Sequence, residues 1–261
     1  CACLVGSEMC IRDRQGYDIT FINTCFENRK MSYYEHCRYR NFEGVAIVCA
    51  DYNDPDVLEL MNSDLPVVTI DYVHHNCTAV SSNNIQGIED LVKYIYQQGH
   101  RKIAYIHGQE NSYVTKDRLA SFSRTMDELG LEVPDEYIRT ADYLETKEAA
   151  RQTREILNLP DVPTCIIYPD DTALIGGRNV IIEMGLRIPR DISVAGYDGT
   201  RISQLLHPKL TTIRQNTELI GSEAAKRLIG TIEKPRTTLV ERVVIEGSLV
   251  PGQSVGKFLQ K

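Results

Sequence analysis

Five side chains in this sequence stand where chemistry is usually done in an alternating strand–helix chain. Asp71 follows the apolar run Val67–Ile70, Asp170 and Asp171 follow Thr164–Tyr168, and Asp198 follows Ile192–Tyr197. Arg118 opens a helical stretch after the run Lys102–His107 and its loop. In open α/β sheets, ligands bind beyond the carboxyl ends of the strands. Carboxylates accept hydrogen bonds from hydroxyls, and a guanidinium donates in a fixed fork. Together these residues suit a polyhydroxylated ligand. Each aspartate taken singly is equally well a helix N-cap, because a strand-to-helix turn favours that residue anyway.

Catalytic readings find less support. The chain has no G-x-G-x-x-G turn, no G-x-x-x-x-G-K-[ST], no G-x-S-x-G and no H-E-x-x-H. His74, His75 and Cys77 lack a fourth ligand at suitable spacing, so a surface loop is expected there and not a metal site. Asp170 and Asp171 as neighbours rarely face one substrate together, and no second catalytic group accompanies them. Tyr33, Tyr34 and Met31 read as core or lobe surface. We expect no catalytic residues, no metal and no cofactor.

The elements that would position these groups follow one grammar. Tyr17–Asn23, Val45–Cys49, Val67–Ile70, Lys102–His107, Thr164–Tyr168, Ile192–Tyr197 and Val240–Ile245 read as strands. Helices are expected over Val57–Met61, behind Asp54-Pro55, and over Ile85–Gln98, Lys116–Leu129, Thr146–Leu157, Thr172–Met184 and Leu219–Ile229. Ile85, Ile88, Val92 and Ile95 would form the apolar face of the second, and Gly99, Gly130 and Gly185 close their helices. Such alternation predicts parallel sheets covered by helices on both faces. The strands are too numerous for one sheet of ordinary width, so two doubly wound sheets are expected.

Composition narrows the class. Of 261 residues, 42% are hydrophobic and 25% charged, an ordinary balance for a soluble globular protein. The longest apolar runs, Val45–Ala50, Pro66–Ile70 and Cys165–Tyr168, are far short of a membrane span. The net charge of −7 and the absence of a basic cluster beyond Arg38–Arg40 and Arg101–Lys102 make this segment a poor phosphate binder. Eight cysteines are present, but Cys49 and Cys165 sit in strand-like runs as small hydrophobes, so free thiols and a cytoplasmic setting are expected. Cys1–Arg14 shows neither strand alternation nor a helical face. It reads as foreign sequence, or else as a divergent first strand, Ala2–Val5.

Four stretches carry a family likeness. Gly99-His100-Arg101-Lys102-Ile103-Ala104-Tyr105-Ile106 resembles the "GH-x-x-I-A-x-I" strand entry of the lactose-repressor/galactose-repressor (LacI/GalR) regulators. Arg118–Phe122 resembles their "R-x-x-G-F", with Ser121 where glycine is usual. Gly185–Asp198 matches "G-x-x-I-P-x-D-[IV]-S-V-x-G-[FY]-D", and Pro208–Gln215 matches "P-x-L-T-T-[IV]-x-Q". The resemblance runs from about Gln15 to Ser254.

That resemblance implies a periplasmic-binding-protein-like type I core. It has two lobes, 15–107 plus 218–245 and 108–217 plus 246–261, with a ligand cleft between them. It implies a sugar-type effector, a homodimer, and operator DNA reached through a helix-turn-helix head that these residues do not contain. A repressor is expected before an activator. Carried over by position, Arg118, Asp170 and Asp198 contact the effector, joined by Asp71, Gln215 and Tyr143. Asp170 stands where many members have asparagine. The competing readings are a solute-binding protein of a sugar importer, which shares the fold, and an enzyme on a doubly wound sheet.

Overall fold

Short side chains at helix starts set the frame. Asp54 accepts from the Asp56 amide and Pro55 holds the first position of helix α2 (Pro55–Met61). Asn83 accepts from the Gln86 amide to open α3 (Asn84–Gln97), and Asp170 caps α6 (Asp171–Glu183). Ser32 and Glu35 form a reciprocal capping box on α1 (Tyr33–Arg40), a helix that the apolar pattern does not announce. The structure, a computed structural model, describes residues 16–22 and 31–258. The remaining helices are α4 (Tyr113–Glu128), α5 (Thr146–Leu157), α7 (Arg201–Leu205) and α8 (Thr217–Glu233). Residues 17–22 take no regular structure, against the strand expected over Tyr17–Asn23; Asn23 and Cys1–Arg14 lie outside the described residues.

The described residues divide into two units, one ending at Ser82 with Asn216–Ile245 added, the other Asn83–Gln215 with the segment that starts at Glu246. The first holds a parallel sheet in the order β1 (Val45–Ile47), β2 (Val67–Ile70), β3 (Thr78–Ser82), β9 (Arg242–Ile245). Strand alternation sorts its core. Val67 packs with Cys37, Val57, Leu60 and Met61 on one face. Val68 and Ile70 pack with Ile220 and Ala224 of α8 on the other. Central β3 escapes the sequence reading because Thr78, Ser81 and Ser82 give it the composition of a loop. Cys49, expected inside a strand, lies just past β1, exposed and at φ +53.

The second unit holds a six-stranded sheet in the order β10 (Ser248–Val250), β8 (Thr211–Arg214), β7 (Ser193–Asp198), β6 (Cys165–Ile167), β4 (Ile103–His107), β5 (Ile138–Thr140). All pairings are parallel except β10 with β8. Alternation is clean on β4: Ile103 and Tyr105 face the core with Ile88, Leu91 and Phe122 of α3 and α4. Ala104 and Ile106 face the core with Ala149, Ile156, Leu174 and Val180 of α5 and α6. The sequence reading carried the first lobe to His107. The structure instead assigns α3 and β4 to the second unit, since β4 is paired on both sides within that sheet and α3 packs on α4. From β4 the chain crosses to β5 on one side and then to β6 on the other. The crevice at their carboxyl ends is thus a topological switch point, where open α/β sheets bind ligands.

Candidate functional site

The second unit gathers Arg118, Tyr143, Asp170, Asp198 and Gln215 at the carboxyl ends of its strands. Arg118, on the first turns of α4, is 3% exposed. Its Nε donates to Asn84 Oδ1 at 2.8 Å and its Nη1 to the Pro169 carbonyl at 3.0 Å, beside the switch point. The guanidinium lies 3.5 Å from the Tyr197 ring centre and 5.8 Å from that of Tyr143. Its Nη2 is 4.0 Å from Asp198 Oδ1. A charge this deep is tolerated only because each face and edge has a partner.

Asp198 ends β7 at φ +94, a conformation that L residues rarely adopt. Its Oδ1 accepts from Gln215 Nε2 at 2.6 Å, and its carbonyl from the Gln215 amide at 3.3 Å. The side chain is 28% exposed. Burial raises its carboxyl above the ordinary value, against the opposing pull of Arg118 and of the Gln215 hydrogen bond. Tyr143 hydrogen-bonds through its hydroxyl to Thr115 Oγ1 at 2.8 Å. Its ring occupies the space above Gly108, where a Cβ would lie 2.2 Å from the ring.

Asp170 takes the other reading open to it. Its Oδ1 accepts from the Thr172 and Ala173 amides and its Oδ2 from the Leu144 amide, all at 2.8 Å, and it is 1% exposed. The carboxylate is an N-cap that also ties Leu144, at φ +63 and next to Tyr143, to the helix start. Asp71 belongs to the first unit. It follows β2 at φ +61, and its Oδ1 accepts from the Ser82 amide at 3.4 Å.

Two residues of this cluster, Asn84 and Tyr197, were not singled out as site groups from sequence. Asn84 follows β3, whose polar composition hid it. Tyr197 is adjacent to Asp198, and strand alternation alone turns its ring toward the α3/α4 face. Asp171 stood among the strand-end aspartates read from sequence, but it was not carried over as an effector contact. Its carboxylate turns instead toward Thr200 and Thr212. His74 Nδ1 lies 3.8 Å from Cys77 Sγ, and no group of three His, Cys, Asp or Glu that could hold a metal occurs among the described residues. Nor is any described helix long and apolar enough to cross a membrane.

A helix-covered parallel sheet with a buried arginine and an aspartate at its switch point defines a periplasmic-binding-protein-like ligand domain. The chain matches the family of periplasmic binding protein-like domains over residues 92–255 and belongs to it. Within that class it is a regulator of the LacI/GalR family. It is 29% identical over 228 residues to the HTH-type transcriptional repressor PurR of Actinobacillus pleuropneumoniae serotype 3 (strain JL03), covering 86% of this chain and 67% of that repressor. Its fold is similar to that of a LacI family transcriptional regulator from Enterococcus faecium with bound ribose. The TM-score is 0.85 at 20% identity, over 99% of this chain and 94% of that one. It is also similar to a CelR–cellobiose complex, with a TM-score of 0.83 at 24% identity over 97% and 78%. The curated relative is a repressor, which favours the regulator over the importer reading.

Proposed function

We propose that this core senses an uncharged, hydroxyl-rich effector, a sugar or sugar derivative, through Asp198, Arg118 and Tyr143. The observation that carries this is the Arg118–Asp198–Gln215 array. Gln215 and Arg118 approach Asp198 Oδ1, so Oδ2 is left to accept from a ligand hydroxyl. Tyr143 offers an apolar ring face beside it. The guanidinium charge already faces Asp198, which disfavours a phosphate as the ligand. Gln215 orients Asp198, and Asp170 serves as scaffold. Asp71, also at a strand's carboxyl end, is a separate candidate for a hydroxyl contact within the first unit. The ribose and cellobiose bound by proteins of the same fold support this class of ligand.

The whole regulator works as a homodimer whose operator contacts are made by a helix-turn-helix head outside these residues, and the repressor relatives support repression. Calorimetry with D-ribose, cellobiose, further neutral sugars and ribose 5-phosphate tests the effector class. A neutral sugar should bind, and the phosphate should not. Asp198→Asn should weaken the binding about tenfold or more, as for loss of a charge-assisted hydrogen bond. Preference for the phosphate, or unchanged binding in Asp198→Asn, would overturn the reading.

A further inference from the structure

The turn that carries Asp198 is fastened from within by a second carboxylate. Asp171, the first residue of α6, is fully buried. Its Oδ2 accepts from the Thr200 amide at 2.7 Å and from Thr200 Oγ1 at 2.9 Å. Its Oδ1 accepts from Thr212 Oγ1 at 2.7 Å, and that hydroxyl in turn accepts from the Gly199 amide at 3.2 Å. Both backbone amides that follow Asp198 therefore end on Asp171, one directly and one through a single hydroxyl. They hold two consecutive residues of positive φ, Asp198 at +94 and Gly199 at +64. Strand β7 runs hard against the same carboxylate, since a Cβ on Gly196 would lie 2.3 Å from its Oδ1.

We propose that Asp171 is the positioning residue of the effector site. Its carboxylate holds the Asp198-Gly199-Thr200 turn, and with it the aim of the Asp198 carboxylate, through hydrogen bonds that only the ionised form can accept in full. A protonated Asp171 turns one acceptor oxygen into a donor and must release a bond to Thr200 or Thr212. The groups around it make that proton hard to shed. No lysine or arginine bonds to it among the described residues, Thr200 and Thr212 are uncharged, and Asp198 on β7 adds a like charge. Burial is the larger influence, and together they raise the carboxyl to about 7. The turn should thus tighten as pH rises through neutrality.

The inference rests on Asp198 being an effector contact, and two measurements separate the claims. The first needs no ligand: the amide resonances of Gly199 and Thr200 are followed in the full chain between pH 4 and 9. A shared inflection should appear, vanish in Asp171→Asn, and persist in Asp198→Asn, displaced to lower pH by loss of the like charge. Gly199 and Thr200 amides that titrate identically in wild type and Asp171→Asn would overturn the proposal. The second is calorimetry with D-ribose and cellobiose. Wild-type affinity for whichever sugar binds should fall severalfold from pH 8 to pH 6. Asp171→Asn keeps the shape and should bind with a flattened pH profile, whereas Asp171→Ala should lose affinity tenfold or fail to fold. A wild-type profile retained in Asp171→Asn would also overturn the proposal. An inflection abolished by Asp171→Asn upholds the hold on the turn even if neither sugar binds, a result that would count against the effector reading instead.

Discussion

At the scale of single residues, the site is built from charges that protein structure normally avoids burying. Arg118 is the clearest case, because its removal takes away the donor to Asn84 and to the Pro169 carbonyl and the cation over the Tyr197 ring together. Truncating one member of a buried charged network typically costs about 3–5 kcal/mol. Arg118→Ala is therefore expected to lower the urea midpoint substantially as well as to abolish effector binding. A variant that unfolds like the parent would show that the network adds little. Asp171 gives a pH signature. Its folded value near 7 lies above the unfolded one of about 4, so the folded state holds its proton more tightly. Its contribution to stability is complete below about pH 4 and is lost as the pH rises through 7. Unfolding midpoints should fall between pH 5 and pH 8, and less so in Asp171→Asn; an equal fall in both would refute the assignment.

At the scale of elements, glycines at helix ends separate two kinds of constraint. Gly99 closes α3 at φ +98, and a Cβ there would lie 2.2 Å from the Phe258 carbonyl oxygen. Gly130 closes α4 at φ +66 with nothing within 4 Å. Left-handed backbone alone costs an L residue about 1–2 kcal/mol. Gly130→Ala should show that penalty only, and Gly99→Ala a distinctly larger one, because the clashing atom is backbone; thermal melts compare them directly. The helix stripe on α3 differs from its sequence reading. Ile85 is 42% exposed, while Gly87 and Leu91 join Ile88, Val92 and Ile95 inside. Ser121, placed where the family pattern has glycine, donates to the Ile85 carbonyl at 2.7 Å, so the larger residue is accommodated by a hydrogen bond between α3 and α4.

At the scale of the whole molecule, charge divides the labour. A net charge of −7 opposes the phosphate neutralisation from which nonspecific DNA affinity arises. The chain as given should show no band shift with duplex DNA even at low salt, while a neutral sugar still binds. Effector control of DNA binding would then require a coupling free energy between two distinct sites, carried by the core and read out by the heads. Tight, salt-sensitive DNA binding by these residues would contradict that division.

The sequence by itself determined the α/β class, most helix starts, and the strand ends at which Asp71, Asp170 and Asp198 stand, because strand–helix alternation and capping chemistry are local. It also carried the family, since Gly185–Asp198 and Pro208–Gln215 are long, specific runs. Only tertiary structure decided which aspartate is left open to the effector proposed above. Asp170 and Asp171 are neighbours with the same propensity, yet one caps a helix and the other fastens a turn on β7, a choice made by Leu144, Thr200 and Thr212 arriving from distant segments. Strand β3 and the boundary after Ser82 were likewise illegible, because a strand paired on both sides can be polar on its surface and still be central. Hydrogen-bond partners are set by the sheet order, and no window of local sequence contains it.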